Sequence, residues 1–473
     1  MRNKGNIRYI VLGMALCWGG SVMPDASAWG QGSNAEEKVL ANGGTAENPA
    51  SGEYSFDADS WRSIFQDAQL SRLIEQGLEH NTDLNVARLR IDQAEASLKS
   101  ARMATLPSLA FSPTAGISTY GNSAATKTYS LPLQASWQVD LFGRLKNAKL
   151  QQKMLVESSK AYEQAVEVNL VANIAQSYYK CALIDAQLSL ARQSVDVWDE
   201  TVRAMKAFME EGQYTDAAVS QAEASRQQVK TTVVDLRQQM REAVNAVRLL
   251  LGDSTNSVSL AFDSRSQEGG FANGINLNTG KAIELHQLAN RPDVRQAEMN
   301  LAASVYATKE ARAAFYPSLT LSGTAGWTNS SGIITNPGKL LLEALASLTQ
   351  PIFQNGKLKA DLAIKKSQQE EARLQFQQAL LNAGIEVNNA LTEAQTYGEK
   401  SALLDNQVKS LERTVKSTRL LQQNGSSNYL EVLTAQENLL SAQMSRLENE
   451  YNKVAAQIAL YQALPSANFG RNR

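Results

Sequence analysis

The sequence has few of the residues on which disulfide frameworks, metal sites and enzyme active sites depend. Its 473 residues include two cysteines and two histidines, and His80 and His286 lie in separate segments. That spacing matches no metal-ligand motif, and no nucleophile elbow or phosphate-binding loop occurs. The 46 basic and 47 acidic residues balance, so the chain has no electrostatic footprint for nucleic acid. These absences argue against an enzyme, a cofactor, a metal site and a nucleic-acid partner.

Long apolar runs are also missing once the amino terminus is passed. No later segment reaches the roughly 18 consecutive apolar residues of a transmembrane helix. If the protein crosses a membrane, we therefore expect it to do so with β-strands.

The amino terminus has the pattern of a secretory signal peptide. Three basic residues precede or flank the apolar run YIVLGMALCW, and Ala26-Ser27-Ala28 offers a small-residue cleavage site. We predict a signal peptide over residues 1–28 and a flexible amino-terminal segment over 29–54. Cys17 raises the alternative of a lipoprotein signal, which the bulky leucine directly before it disfavours.

The remaining chain contains an internal duplication. Residues 101–109 read ARMATLPSL and residues 311–319 read ARAAFYPSL, at an offset of 210. Further along, Gly212 corresponds to Gly425 at an offset of 213. A period of this length is too long for a solenoid repeat and indicates a duplicated module.

Each module contains one very long helical segment and two shorter ones. The stretches Gly143–Gly212 and Gly356–Gly425 each enclose 68 residues without proline, and 39-residue segments free of glycine and proline follow each of them. Apolar residues recur in steps of three and four, as from Leu170 to Met209, which predicts coiled-coil packing. A segment of about 24 helical residues precedes each strand pair. We expect it to lie in line with the 39-residue helix beside the long one.

Two strand pairs are predicted, one per module. Their segments are 109–120 and 129–144 in the first module, and 319–327 and 340–353 in the second. The stretch YSLPLQASWQVDLFGR alternates apolar and polar residues with period two. The fourth strand is less regular because two leucines, Leu341 and Leu345, break its alternation. We predict that the apolar face of the second strand contacts lipid, through Tyr129, Leu131, Leu133, Trp137 and Val139.

Four strands per chain are too few for a barrel, since the smallest membrane barrels have eight. Open strand edges cannot face lipid, because unpaired backbone groups are costly there. We therefore expect several copies of the chain to complete one β-barrel. Three copies supply twelve strands and twelve helix positions.

The sequence resembles the outer-membrane factors of tripartite efflux pumps, of the TolC and OprM type and the NodT branch. The resemblance is carried by the LPSL and YPSL strand entries, by WQVDLFGR and TQPIFQNGKLKA, and by NGSSNYLEVLTAQENLLSAQ. It implies a mainly α fold with membrane β-structure, in which a homotrimer forms a β-barrel continuing into a long α-helical barrel. The implied first repeat spans 55–262 and the second 281–465, with strands over 107–141 and 317–353 and coiled-coil hairpins over 144–251 and 357–464. Residues 263–280 would be a linker in the belt around the tube, and 466–473 a tail.

The resemblance also implies functional positions at the helix tips farthest from the barrel. The tips, with Gly212, Asn424, Gly425 and Tyr429, would contact a periplasmic adaptor. Where the family often has YLTLLDAQR, this chain has YLEVLTAQE, so the aperture would be ringed by Leu430, Thr434 and Glu437. The alternative readings are structural, namely helix-capping glycines and a solvated carboxylate.

The implied function is a passive exit duct in the bacterial outer membrane, extending into the periplasm. It would serve an adaptor and an inner-membrane transporter of the RND or ABC class. Two alternatives remain, the exit duct of a type I protein-secretion system and a periplasmic coiled-coil structural protein. The ten methionines are scattered, which gives no sign of a copper or silver cargo.

Overall fold

The computed structural model describes residues 60–119, 121, 125–253, 288–329, 339–423 and 429–463. These residues form eight helices and five strands. In chain order the elements are α1 (Ser60–Ile64), α2 (Ala68–His80), α3 (Thr82–Met103), β1 (Ser108–Phe111), β2 (Thr114–Ser118), β3 (Thr126–Val139), α4 (Arg144–Glu210), α5 (Asp216–Leu251), α6 (Pro292–Ala313), β4 (Ser318–Asn329), β5 (Lys339–Thr349), α7 (Lys357–Gln423) and α8 (Tyr429–Ala463).

The sequence duplication is a duplication of structure. Helices α3 and α6 both have 22 residues, and α4 and α7 both have 67. Helices α5 and α8 have 36 and 35 residues and begin at positions 213 apart. A helix of 67 residues is about 100 Å long. The expected long and short helices are therefore present, each slightly shorter than the interval between its flanking breakers.

Two short helices lie end to end beside the long helix of each module. Asn81 caps the start of α3 and donates through Nδ2 to the carbonyl of Leu250 in the last turn of α5, at 2.8 Å. At the matching position in the second module, Arg291 donates through Nη1 to the carbonyl of Ala463 in the last turn of α8, at 3.2 Å. Helix α4 packs against α3, α5, α6 and α8, and α7 packs against α6 and α8. The predicted in-line arrangement is confirmed.

The largest apolar core lies at the level of this end-to-end junction. Helix α2 packs on α4 there, and Trp61 of α1 and Phe65 after it join the same core with other nearly fully buried side chains. Tyr178 on α4 donates to Asp67 Oδ2 at 2.8 Å, and Asp67 also caps α2. Three of the predicted heptad positions on α4, Ser177, Val195 and Met209, are half-buried. The other nine are buried, namely Leu170, Ile174, Cys181, Ile184, Leu188, Ala191, Trp198, Val202 and Met205.

The strands form one antiparallel sheet in the order β1-β3-β4-β5, with β2 also paired to β3. The sequence prediction of four strands was wrong in one respect, because the first of them is broken into β1 and β2. Pro113 at the break has no backbone N–H to donate. Both pieces still pair with β3, so the sheet keeps four strand positions. The last strand ends at Thr349, earlier than the predicted 353.

Candidate functional site

One face of the sheet is apolar across all strand positions. Directly paired residues of an antiparallel sheet lie on the same face. Leu131 pairs with Trp327, which pairs in turn with Leu340, and Trp137 pairs with Leu321. Within the chain this face is uncovered, since the large side chains on it are exposed. Exposed members are Leu109, Phe111, Ile117, Leu131, Leu133, Trp137, Trp327, Leu340, Leu342 and Leu348.

The opposite face is mostly hydroxyl and amide side chains, among them Ser136, Gln138, Thr320 and Thr328. The two residues that broke the alternation of β5, Leu341 and Leu345, lie on this polar face. The other two predicted apolar positions of β3 are half-buried. Val139 pairs with Leu319 on the apolar face, and Tyr129 pairs with Asn329 at the far end of the sheet.

In both modules a side chain of the sheet region bonds to the backbone carbonyl at an equivalent position just after the preceding helix. Trp137 donates through Nε1 to the carbonyl of Thr105 just after α3, at 3.0 Å. Gln350 donates through Nε2 to the carbonyl of Phe315 just after α6, at 2.9 Å. Trp137 therefore combines an apolar ring on the exposed face with a polar tie to the helix end.

At the opposite end of the molecule, α4 turns into α5 at Gly212. This glycine has φ 75°, and the amides of Gly212 and Gln213 donate to the carbonyls of Met209 and Phe208. These two bonds form a Schellman motif, so the capping interpretation of Gly212 is confirmed. A side chain at Gly212 would meet no atom within 4 Å, so the turn is open to solvent. Two other predicted tip residues, Asn424 and Gly425, lie outside the described residues.

An aromatic cluster joins the tips of the two hairpins. Tyr214 after the first tip packs edge-to-face on Phe208 and on Tyr429, with ring centroids 5.6 Å apart in both pairs. Gln422 at the end of α7 donates to the Tyr214 hydroxyl at 2.8 Å. Tyr429 is half-buried in this cluster, so its ring holds α8 against the first hairpin.

The three predicted aperture residues lie on one exposed face of α8. Leu430, Thr434 and Glu437 are all exposed, whereas Leu433 and Gln436 on the other side of the helix are buried. Spacings of four and three residues bring side chains to one face of a helix. The described chain thus presents these three residues as a stripe, as the aperture prediction requires.

Glu437 has a partner that sequence reasoning missed. Buried Ser225 on α5 donates to Glu437 Oε1 at 2.7 Å, a bond between the two hairpins. Nearby, Asp199 on α4 forms ion pairs with Arg226 and Lys230 on α5, at 3.4 and 3.3 Å. No local motif marks Ser225, because its partner lies 212 residues away.

The charge pairing continues toward the tip. Lys206 on α4 pairs with Glu223 on α5 at 2.7 Å, and this hydrogen bond with the ammonium lowers the pKa of Glu223. The part of the first hairpin that lies beside the predicted aperture residues is therefore held by paired charges around a small apolar core. Exposed pairs of this kind contribute little stability individually.

The described residues contain no helix that is both long and apolar enough to cross a bilayer. In the same part of the chain, no group of three or more His, Cys, Asp or Glu side chains is placed to hold a metal ion.

A sheet with one uncovered apolar face, joined to coiled-coil helices of about 100 Å, defines a class of protein, the elongated outer-membrane channels. The chain belongs to the outer membrane efflux protein family, whose sequence model matches residues 73–253 and 286–465. The protein is therefore an outer-membrane efflux channel with a TolC-like fold that extends into the periplasm.

Individual relatives carry names from several efflux systems. The chain is 29% identical to the cation efflux system protein CusC of Escherichia coli K12 over 407 residues, covering 85% of this chain and 88% of that protein. It is 28% identical to the probable outer membrane lipoprotein SilC of Salmonella typhimurium over 418 residues, covering 87% and 88%. A crystal structure of CusC superposes with a TM-score of 0.78 at 28% identity, covering 89% of this chain and 98% of that one. The VceC channel of Vibrio cholerae, at 22% identity and a TM-score of 0.78 with 88% and 100% covered, shares the fold.

Proposed function

We propose that the chain is one subunit of a homotrimeric exit duct in a tripartite efflux system. The duct receives small molecules from a periplasmic adaptor and an inner-membrane transporter of the RND or ABC class. It conducts them passively, without chemistry on the substrate and without a cofactor. The sheet contacts outer-membrane lipid through its apolar face, and the hairpin tips contact the adaptor.

The observation that carries this proposal is a difference between equivalent positions of the two modules. Leu374, Leu381 and Ile385 on α7 are 53%, 49% and 47% exposed. Their equivalents on α4, displaced by 213 residues, are buried under neighbouring helices. These equivalents are Ala161, Val168 and Ala172, at 5%, 7% and 1% exposure.

This difference predicts what covers α7. Helices of the other module, α6 and α8, pack against α4, and Val168 and Ala172 lie in the core that α8 shares with the first two helices of the chain. The equivalents of α6 and α8 are α3 and α5, which are themselves open on one side. Because the repeat leaves α7 open where α4 is closed, a second copy of the chain supplies the missing helices. Repetition of that contact closes a ring.

The sheet supports the same closure. Within the chain, the exit strand β3 of the first module pairs with the entry strand β4 of the second. The equivalent strands, β5 and the β1–β2 pair, are the two open edges. Joining β5 of one copy to β1 and β2 of the next repeats the β3–β4 pairing and removes edges that a membrane cannot accept.

Aromatic side chains at the sheet–helix junction follow the same pattern, in which a contact within the chain has exposed equivalents at the two open edges. Phe142, after β3, stacks on Tyr316, before β4, with ring centroids 4.9 Å apart. The corresponding residues at the open ends are Phe353 and Leu106, which are 81% and 56% exposed. We expect Phe353 to meet Leu106 of the next copy.

The residues at the helix tips support the proposal that they form an aperture. Leu430, Thr434 and Glu437 repeat three times in a trimer, so their stripe forms rings of leucine, threonine and carboxylate. The Ser225–Glu437 bond holds the second hairpin against the first. Breaking such bonds lets the tips separate and widens the aperture, while adaptor contact at Gly212, Gly425, Asn424 and Tyr429 supplies the opening force.

The cargo class follows from the relatives' names and not from residues in this chain. CusC is named for cation efflux, and two further relatives from Pseudomonas putida, TtgF and ArpC, at 28% and 26% identity, are named for toluene and antibiotic efflux. Such diversity within one architecture supports a duct whose substrate choice resides in the pump.

The test is the oligomer mass of the detergent-purified protein, followed by single-channel conductance in planar bilayers. Leu381→Glu is expected to abolish the trimer and the conductance, because it places a charge in the proposed contact between α7 and the helices of the next copy. Asn406→Glu is the matched control, since Asn406 and its equivalent Gln193 are exposed in both modules. A trimer and full conductance in the Leu381→Glu variant would contradict the proposed ring.

A second measurement separates the two kinds of duct. Deletion of the protein from its host is expected to increase sensitivity to small toxic compounds. Loss of a secreted protein, with unchanged sensitivity, would favour the type I secretion alternative instead.

A further inference from the structure

Basic residues are concentrated where the helices meet the sheet. The segments 99–103, 140–153, 309–313 and 357–366 contain twelve lysines and arginines and three acidic residues. The whole chain, by comparison, has 46 basic and 47 acidic residues. The excess is therefore local and cannot be an effect of overall composition.

These segments converge at one end of the sheet. Helices α3 and α6 end five residues before β1 and β4 begin, and α4 and α7 begin within eight residues of the ends of β3 and β5. Antiparallel pairing brings the starts of β1 and β4 level with the ends of β3 and β5. The four helix ends thus form one layer, and we call its basic residues the junction collar.

The collar residues nearest the sheet form no close ion pair with a described carboxylate, although Arg144 lies near enough to Glu310 to oppose the rise that burial causes in the pKa of that carboxyl. The six are exposed, and none forms an ion pair with a described carboxylate. Arg144 donates to Gln138 Oε1 at 3.3 Å, toward the polar face of the sheet. The six residues are Arg102, Arg144, Lys146, Arg312, Lys357 and Lys359.

The placement of these charges is unfavourable for the helices themselves. A helix amino terminus carries partial positive charge and is stabilised by acidic residues. Helices α4 and α7 have no acidic residue in the first turn and begin instead with Arg144, Lys146, Lys357 and Lys359. At the start of α4, Asp140 Oδ2 accepts from the backbone N–H of Lys146 at 2.7 Å and offsets part of this charge. Intrahelical stability still gives no reason for four bases at these two helix starts, whereas an external anion does.

Exposed apolar side chains lie between the collar and the sheet. Phe142 and Tyr316 are 45% and 55% exposed although they stack on each other, and Ile352 is 95% exposed. From the sheet outward, the order is an apolar face, an aromatic layer and then cations. A bilayer has the matching order of hydrocarbon, interface and headgroup.

We propose that the junction collar binds the phosphate-bearing headgroups of anionic phospholipids in the periplasmic leaflet. The proposal rests on the proposed function, since it requires the sheet to lie in the outer membrane. The headgroup zone is about 5–8 Å deep on each side of the bilayer. The first turn of α4 or α7 rises about 5 Å, so its lysines lie at headgroup depth. The bases hold the barrel at a fixed depth and orientation.

The test compares retained lipids. Wild-type trimer in detergent is equilibrated with equal amounts of phosphatidylglycerol and phosphatidylethanolamine, and bound lipid is quantified by native mass spectrometry. Each base near an anionic surface is worth about a fivefold change in partitioning. The Lys146→Gln, Lys357→Gln, Lys359→Gln variant is expected to lower the preference for phosphatidylglycerol by at least about fivefold. Arg144 is left unchanged because it contacts the polar face.

The control variant carries Arg237→Gln, Arg241→Gln and Lys409→Gln, which remove three exposed charges far from the sheet. It is expected to keep the wild-type preference. Raising salt from about 0.15 M to about 1 M shortens the screening length from about 8 to 3 Å and should also reduce the preference. Inorganic phosphate at matched ionic strength should not displace the lipid.

Several results would overturn the proposal. These are an absent preference in wild type, an unchanged preference in the collar variant, or displacement by free phosphate. A collar variant with altered ion selectivity but unchanged lipid retention would place these lysines in the lumen. In each case, a trimer that inserts and conducts leaves the proposed function standing. Failure to form an inserting trimer counts against the proposed function itself.

Discussion

Arg291 offers a quantitative test of how the in-line helices of the second module are held together. Its side chain is 7% exposed and donates to both oxygens of Asp293, at 3.0 and 2.8 Å, and to Glu386 Oε2 at 2.6 Å. Its remaining bond, to the Ala463 carbonyl, ties α6 to α8. Burial opposes the charge of Arg291, but the two carboxylates outweigh burial and raise its pKa.

The magnitude follows from these contacts. Arg291→Met keeps most of the apolar stem and removes every hydrogen bond. The buried Ala463 carbonyl loses its partner, which costs about 1–3 kcal/mol. Asp293 and Glu386 are 44% and 55% exposed, so water recovers much of their loss. We expect a local destabilisation of about 2–4 kcal/mol, below the cost of stranding a buried charge. Because the pKa of Arg291 is raised further above the neutral range, the guanidinium should stay charged, and this contribution should persist, at every pH in ordinary use.

Hydrogen exchange is the suitable assay, because unfolding of a membrane trimer is not two-state. A loss of about 2 kcal/mol in local stability increases the rate of hydrogen exchange through local opening about 30-fold. Peptides covering the start of α6 and the end of α8 should show this increase in Arg291→Met. Arg291→Lys retains the charge without the bidentate geometry and should be intermediate. Unchanged exchange at both helix ends would refute the reasoning. An equal increase in the tip peptides of α4 and α5 would indicate global rather than local destabilisation.

Three further predictions follow from single contacts. Burial raises the pKa of Cys181 from 9.0 to about 11. Below pH 9 its thiolate is therefore about 100-fold less populated than that of an exposed cysteine. Thiol reagents should label Cys181 only in unfolded protein. Gly326→Ala should block folding of the sheet, because a Cβ at this position overlaps the Leu131 carbonyl oxygen. Gly323→Ala is the control and should fold, since a Cβ there lies 3.6 Å from its nearest atom. The yield of folded trimer measures both effects. Glu437→Gln should lower cation selectivity, measured as reversal potential in a salt gradient, and an unchanged potential would remove Glu437 from the aperture.

Much of the fold was predictable because it depends on local periodicity. Heptad spacing from Leu170 to Met209 specifies a helix whose apolar stripe must be covered, and α4 has that stripe buried. Alternation from Tyr129 to Val139 specifies a strand with two unlike faces, and β3 has them. The break at Pro113 was missed because the alternation continues on both sides of it, although proline removes one ladder hydrogen bond.

The candidate site was predictable only where it repeats a pattern. Gly212 was identified as a helix-capping glycine, and its φ of 75° confirms the reason. Leu430, Thr434 and Glu437 were placed by resemblance, and the helix brings them to one face. Ser225 was missed, since a serine on a polar helix face carries no mark of a partner more than 200 residues away.

The sequence by itself determined the lengths of the helices, the two faces of the strands and the duplication, because each is written in the spacing of neighbouring residues. The tertiary structure alone decided which copy of each repeated surface is covered. Ala161 and Leu374 occupy equivalent positions, yet one is buried and the other exposed, because the chain supplies α6 and α8 to α4 and nothing equivalent to α7 within the described residues. Coverage depends on long-range packing, which one-dimensional periodicity cannot encode.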